Sequence, residues 1–261
     1  MIPKTIHYCW FSGEKYPPKI KECIRSWKEK LPDYTIKLWN AYSFDFQSVP
    51  YMKKCLEMRK WAYVADYVRL YALYNEGGIY LDSDVLVLKK FDSLLDCNAF
   101  WGIDAMIDYD YAFPEAAVFG SVKGFPILKE MMGYYHQLKE SDICVERFAS
   151  LCNCWDEDNR SIFAPDGSLQ LVTAPVVMES VLKKYGYRQN NENQKLENDI
   201  YIWAEPIIQN HNKIDTTETI AHHLNTSSWF FTDRGPLFKF CYNHPRFMPY
   251  YKKIEKLRFK K

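Results

Sequence analysis

Apolar and polar positions recur along the chain with two different periods, and each change of period marks an element. "TIHYCWF" (5–11) is a short apolar and aromatic run that reads as a strand. "PPKIKECIRSWKEKLP" follows, with Ile20, Cys23, Ile24, Trp27 and Leu31 at helical spacing between prolines that suit its two ends. "YTIKLWN" (34–40) returns to strand character, so the chain opens strand, helix, strand, the order of a parallel α/β sheet. A longer helix is predicted from about Met52 to Asn75, stopped by Gly77-Gly78 as a C-terminal cap. Ile79, Tyr80 and Leu81 read as the next strand, and Val85 to Leu88 as more strand.

Beyond these, "NAFWGID" and "AAVFG" read as short strands, and "FPILKEMMGYYHQL" as a helix with Pro126 in its first turn. "APVVMESVLKKYG" is a further helix ending at Gly186, and "IYIWAEPII" and "TIAHHL" restore strand character. Residues 139–170 are polar and irregular, an excursion over the surface. No repeat, low-complexity tract or Gly/Ser-rich linker divides the chain. The expectation is one α/β domain with a mixed sheet over residues 1–245, followed by a short tail, 246–261.

Composition changes this picture in two places. Eight cysteines are scattered with no C-x-x-C pair, which gives a structural zinc site little support and fits free thiols in a reducing cytoplasm. The opening "MIPKTIHYCWFSGEK" lacks the charged head and apolar run of a signal peptide, and no apolar run is long enough for a membrane span. The net charge of +1 is unevenly distributed: residues 246–261 hold seven basic side chains and one acid, leaving the body mildly acidic. A nucleic-acid enzyme more often spreads basic surface over its body, so nucleic acid is not an expected partner. In the tail, Phe247, Tyr250, Tyr251, Ile254 and Leu257 share one helical face, with Lys252, Lys253, Lys256 and Lys260 largely off it. That pattern fits either a basic amphipathic helix on an anionic membrane or a terminal helix docked on the domain.

The chemistry centres on "GGIYLDSDVLV" (77–87), where Asp82 and Asp84 follow an apolar run. The pair is either a polar turn or a cation site. Where a strand breaks, acids two residues apart can converge on one ion, and Mg²⁺ or Mn²⁺ favours a few carboxylate oxygens plus ligand phosphates. The carboxyl ends of strands are also where open α/β sheets collect ligands. In the preceding helix, "WAYVADYVRLYALYNEGG" sets Asp66 and Arg69 three residues apart among apolar positions. They form either an ordinary helical ion pair or a unit aimed at a ligand, Arg69 on a phosphate or ribose edge and Asp66 holding it or accepting a ligand hydroxyl.

"ADYVRLYALYNEGGIYLDSDV", together with the opening "IPKTIHYCWFSGEKYPPKIKECIRSWKEKLPDYTIKLWN", resembles the DXD-containing sugar transferases of glycosyltransferase family 32. The likeness covers residues 1–40 and 60–90. It implies a GT-A type nucleotide-sugar-binding fold, a Rossmann-like mixed sheet flanked by helices. It further implies that Trp10 lies against the uracil of a UDP-sugar, a flat ring suited to stacking; the alternative is a core aromatic at a strand end. By the same likeness Asp66, Arg69 and Tyr80 contact the donor, Asp82 meets the ribose and the ion's shell, and Asp84 coordinates Mn²⁺ or Mg²⁺ directly. "AHHLNTSSW" resembles the segment that closes the donor site. His223 is a candidate metal or phosphate ligand, with Ser227 or Ser228 near the ion and Trp229 near the leaving diphosphate. His222 and His223 also have the ordinary reading of structural histidines. Ala174 and Glu115 depart from the family's usual glycine and asparagine.

The function the likeness implies is a metal-dependent, retaining transfer of a hexose from a UDP-sugar to a saccharide acceptor. Asp82, Asp84 and Arg69 would carry it, and capsule-type members extend lipid-linked oligosaccharides at the inner face of the cell membrane. No side chain is named as a nucleophile. The alternatives are a haloacid-dehalogenase-type phosphohydrolase, which also places D-x-D behind an apolar strand, and a non-enzymatic saccharide-binding module, for which the 17% aromatic content leaves room.

Overall fold

Two apolar clusters on opposite faces of one twisted sheet organise the molecule, whose structure is a computed structural model. It describes residues 1–105, 112–139, 161–164, 166–209, 217–225, 245–247 and 250. The main sheet has seven strands: β1 (Thr5–Cys9), β2 (Thr35–Trp39), β3 (Gly78–Leu81), β5 (Ala99–Ala105), β6 (Ala112–Ser121), β7 (Gln194–Leu196) and β8 (Ile200–Trp203). Their order is β2-β1-β3-β6-β5-β8-β7. β1 runs parallel to β2 and β3, and β5 to β8, whereas β6 and β7 run antiparallel to their neighbours. The sheet is thus mixed, as the sequence implies. β1, β2, β3, β5 and β8 all point their carboxyl ends toward the same edge.

Side chains along the strands alternate between the two clusters, as a period of two demands. Tyr80, Trp101 and Phe119 face α2 (Pro50–Glu57), α3 (Trp61–Glu76), α4 (Pro126–Gln137) and α5 (Ala174–Leu182). Ile79, Leu81, Phe100 and Val118 face α1 (Pro18–Lys30). On that second face lies a smaller sheet, ordered β4-β10-β9, of β4 (Val85–Val87), β9 (Ile208–Gln209) and β10 (Ala221–His223). α1 holds β4 there through polar side chains. Trp27 Nε1 donates to the Val85 carbonyl at 2.7 Å, and Ser26 Oγ accepts from the Val87 amide at 3.0 Å.

The single helix expected from Met52 to Asn75 is two. α2 ends at Glu57, and Arg59, at φ 57°, turns the chain before α3 begins at Trp61. A non-glycine residue in left-handed backbone carries no sequence punctuation, so the apolar pattern runs through the break. "IYIWAEPII" likewise divides into β8 and β9, which belong to different sheets. Most of the 139–170 excursion and most of the tail lie outside the described residues; in the tail only Arg246, Phe247 and Tyr250 are described, Arg246 packing on the Phe247 ring at 4.8 Å.

The crossing from α3 into β3 requires glycine. The Gly77 amide closes α3 by donating to the Leu73 carbonyl at 2.8 Å, and Gly78 follows at φ +112°. A Cβ on Gly78 would sit 2.5 Å from the Thr5 carbonyl oxygen. Buried His7 fixes the same crossing: Trp39 Nε1 donates to its Nδ1 at 3.0 Å, so the ring proton is on Nε2 and is given to the Gly77 carbonyl at 2.9 Å. Burial holds this imidazole below its ordinary pKa, in keeping with a neutral ring that both accepts and donates. Gly78→Ala will lower stability by about 1–3 kcal/mol from the backbone conformation alone, more if β1 cannot shift. Denaturant midpoints of the two proteins will show it; equal midpoints would mean β1 yields freely.

Candidate metal and donor site

β3 leaves the main sheet where the two acids stand. The Asp82 amide donates to the Ala117 carbonyl of β6 at 2.9 Å, a last ladder bond. The Val85 amide then donates to the Asp82 carbonyl at 3.0 Å, a tight turn that carries Asp84 across to the smaller sheet. There the Leu224 amide donates to the Asp84 carbonyl at 3.0 Å, and β10 pairs with β4 so that His223 stands opposite Val85. The turn thereby brings Asp82, Asp84 and His223 together, one ligand atom from each lying within 4.8 Å of the others. Asp84 is buried and the other two are partly buried.

The donor chemistry fits a divalent cation. Two carboxylates and an imidazole make a mixed oxygen–nitrogen set suited to Mn²⁺ and acceptable to Mg²⁺, with no thiol among the three. His223 Nε2 is 3.5 Å from Asp84 Oδ1, and Nδ1 is 3.7 Å from Glu115 Oε1. Burial alone would lower the pKa of His223, but the Asp84 and Glu115 carboxylates outweigh it and raise it well above the ordinary value. A positive charge is therefore favoured in this cluster.

On the α3 side, Arg69 is almost wholly buried and its donors are directed at protein acceptors. Nε donates to the Ala65 carbonyl at 3.1 Å and Nη1 to the Ala116 carbonyl at 2.6 Å. Nη2 lies 3.0 Å from Asp66 Oδ1 and 3.5 Å from Asp82 Oδ1, and the guanidinium sits over the Tyr80 ring at 4.7 Å. Tyr80 donates its hydroxyl proton to Asp82 Oδ1 at 2.7 Å. Burial pushes the Asp66 carboxyl up to about 6 against the pull of Arg69, and the Ala174 amide at the start of α5 also hydrogen-bonds it. Asp82 is raised for the same first reason, again opposed by Arg69.

Trp10 follows β1 at the same carboxyl edge. Its indole N–H donates to the Glu14 carbonyl at 2.8 Å, and its ring meets Tyr16 edge-on at 4.9 Å. Its amide donates to the Trp39 carbonyl at 2.9 Å, which carries the β1–β2 pairing one residue past β1. His222, one residue from His223, pairs with Leu86 in the strand ladder. Ser227, Ser228 and Trp229 lie outside the described residues. Sequence reasoning did not find Glu115 as a partner of His223. A lone acid in the apolar run "FPEAAVFG" was its only signal.

Residues 17–101 match the family described as a glycosyltransferase sugar-binding region containing a DXD motif. An inositol phosphoceramide mannosyltransferase 3 of Schizosaccharomyces pombe is 37% identical over 101 residues, which are 36% of this chain and 27% of that protein. A mannosyl phosphorylinositol ceramide synthase of Saccharomyces cerevisiae is 34% identical over 104 residues, 38% of this chain and 27% of the relative. The chain thus spans about a quarter of the length of the curated relatives it matches. Among solved structures, the PaToxG glycosyltransferase superposes with a TM-score of 0.44 at 22% identity, covering 70% of this chain and 68% of that one. The matched segment takes in α1, the Asp66/Arg69 helix and the acid pair, and it leaves the phosphohydrolase reading without support. Residues 17–101 are thus similar to the glycosyltransferase sugar-binding region containing a DXD motif, and Asp82-Ser83-Asp84 is a D-x-D inside the matched segment.

Proposed function

We propose that this chain is a metal-dependent, retaining glycosyltransferase of GT-A type that moves a hexose from a UDP-sugar to a saccharide acceptor. The observation that carries the reading is the convergence of Asp82 and Asp84, inside a family segment named for sugar binding, with His223 from far along the chain at the end of β3. Asp82, Asp84 and His223 would hold Mn²⁺ or Mg²⁺. When bound, the ion supplies Lewis-acid neutralisation of a diphosphate leaving group.

The chain's own groups do the positioning. Arg69, with its donors committed to Asp66, Asp82 and two carbonyls, fixes where the Asp82 carboxylate points; its part is to set the acid pair rather than to reach a phosphate. Tyr80 donates its hydroxyl proton to the same oxygen. Trp10, held by Glu14 and Tyr16, is a pre-set surface for a uracil ring. Ser227 or Ser228 and Trp229 are assigned to the ion and the diphosphate by the family likeness alone. The yeast relatives are named for mannosyl transfer to inositol phosphoceramide, a membrane lipid, which supports a hexose as donor sugar and a lipid-borne acceptor. No helix among the described residues is long and apolar enough to cross a membrane. The basic tail would bring the enzyme peripherally to an anionic cytoplasmic surface where a lipid-linked oligosaccharide is extended, as in capsular or other surface polysaccharide synthesis.

The test is nucleotide release from a panel of UDP-sugars and GDP-mannose with Mn²⁺ present. UDP release from one sugar is expected, and Trp10→Ala will weaken UDP binding by about 1–3 kcal/mol, the range for a base stacked on an aromatic ring. A clear preference for the guanosine donor, or UDP affinity untouched by the substitution, would overturn the uridine assignment. Sugar binding without turnover on any donor would favour a binding module instead.

A further inference from the structure

β6 is buried along its whole length and apolar at nearly every position, yet it carries Glu115, which is 4% exposed. A carboxylate at such a position is costly unless it is paired or hydrogen-bonded. Glu115 Oε1 accepts the amide proton of Ala117 on its own strand at 2.6 Å, so the carboxylate is fixed in place. From there it stands 3.7 Å from His223 Nδ1. The other ring nitrogen, Nε2, is directed at Asp84 Oδ1, 3.5 Å away. His223 therefore bridges a buried acid on the main sheet and the acid pair at the end of β3.

We propose that Glu115 is the positioning residue that sets the tautomer and ring orientation of His223, holding a proton on Nδ1 so that the Nε2 lone pair faces the cation. This rests on the reading of Asp82, Asp84 and His223 as the metal ligands. An ionised carboxylate only accepts hydrogen bonds, so an imidazole beside it keeps its proton on the facing nitrogen and presents the other as a ligand. Metal-bound histidines commonly have such a carboxylate behind them, and it also raises the basicity of the ligating nitrogen. Three features of this chain converge on the role: the burial of Glu115, its fixing by Ala117, and the opposed directions of the two ring nitrogens. Packing of β6 needs no carboxylate, since Ala112, Phe113, Ala116 and Val118 around it are all apolar and buried.

The experiment measures Mn²⁺ binding to the nucleotide-free protein from the electron paramagnetic resonance signal of the free ion. Thermal unfolding without metal serves as the check on folding. Glu115→Gln preserves size and keeps an oxygen at the Oε1 position shared by the Ala117 amide and Nδ1, but it removes the negative charge that holds the Nδ1 proton and raises the basicity of Nε2. Mn²⁺ affinity should fall about 10- to 100-fold. Glu115→Asp should recover part of it, and Asp84→Asn should abolish it. In a ¹⁵N spectrum of the wild-type chain with Mg²⁺, His223 should be protonated on Nδ1 and bare on Nε2. Wild-type affinity in Glu115→Gln, or a proton on Nε2 in that spectrum, overturns the proposal. If Glu115→Gln does not fold, the wild-type spectrum decides alone. Absence of Mn²⁺ binding by the wild type would instead remove the metal reading itself, and with it this role.

Discussion

Asp84→Asn will abolish nucleotide-sugar turnover while leaving the fold intact. Asp84 ends the short turn that carries the chain from β3 to β4, and its carboxylate reaches the His223 ring. Its backbone carbonyl, not its side chain, accepts the Leu224 amide that ties β10 to the turn, so the amide substitution keeps that strand contact. What is lost is one anionic ligand of the proposed cation. Lewis-acid stabilisation of a leaving diphosphate contributes several kcal/mol, so the rate should fall about 10³-fold or more. Excess chelator should reproduce the loss in the wild-type protein. Turnover that persists in chelator, or an Asp84→Asn protein with a rate near that of wild type, would take the ion out of the mechanism.

Arg69→Met will destabilise the protein more than any surface change. The guanidinium, itself almost wholly buried, serves two carboxylates and two carbonyls, and methionine keeps the apolar stem without the charge. Removing one partner of a buried ion pair strands the other, which costs about 3–5 kcal/mol. Asp66, already pushed up to about 6 by burial, will take up a proton once the guanidinium is gone. Arg69→Lys should recover little, because a single ammonium does not span four acceptors arranged around a planar fork. Urea denaturation is the measurement. A loss within about 0.5 kcal/mol of wild type, as for an ordinary surface substitution, would show that these contacts do not stabilise the fold.

What the sequence made legible was what repeats locally. Ile20, Cys23, Ile24, Trp27 and Leu31 mark α1 because burial on one helical face imposes their spacing, and the prolines mark its ends. The acid pair and the Asp66/Arg69 step were visible because each lies within a few residues on one element. The break at Arg59 was not, since a side chain that tolerates left-handed backbone looks like any other. β7 is three residues long, "QKL", too short to show alternation. The smaller sheet was hidden for a different reason: β4, β9 and β10 come from distant stretches, and only the folded chain pairs them. Glu115 belongs to the same class, because its meaning lies in His223, far along the chain.

The turn between β3 and β4 has a consequence for how the molecule is assembled. The family signature ends at residue 101, but the third member of the cation cluster arrives on β10. A fragment that stops with the signature would keep the acid pair and lack the imidazole. Seen from the chain, an ion held by all three residues is a cross-link between its first and last described thirds, closing a very long loop. Occupancy of the site then reports on completion of the fold, and folding of β10 in turn sets how tightly the ion is held.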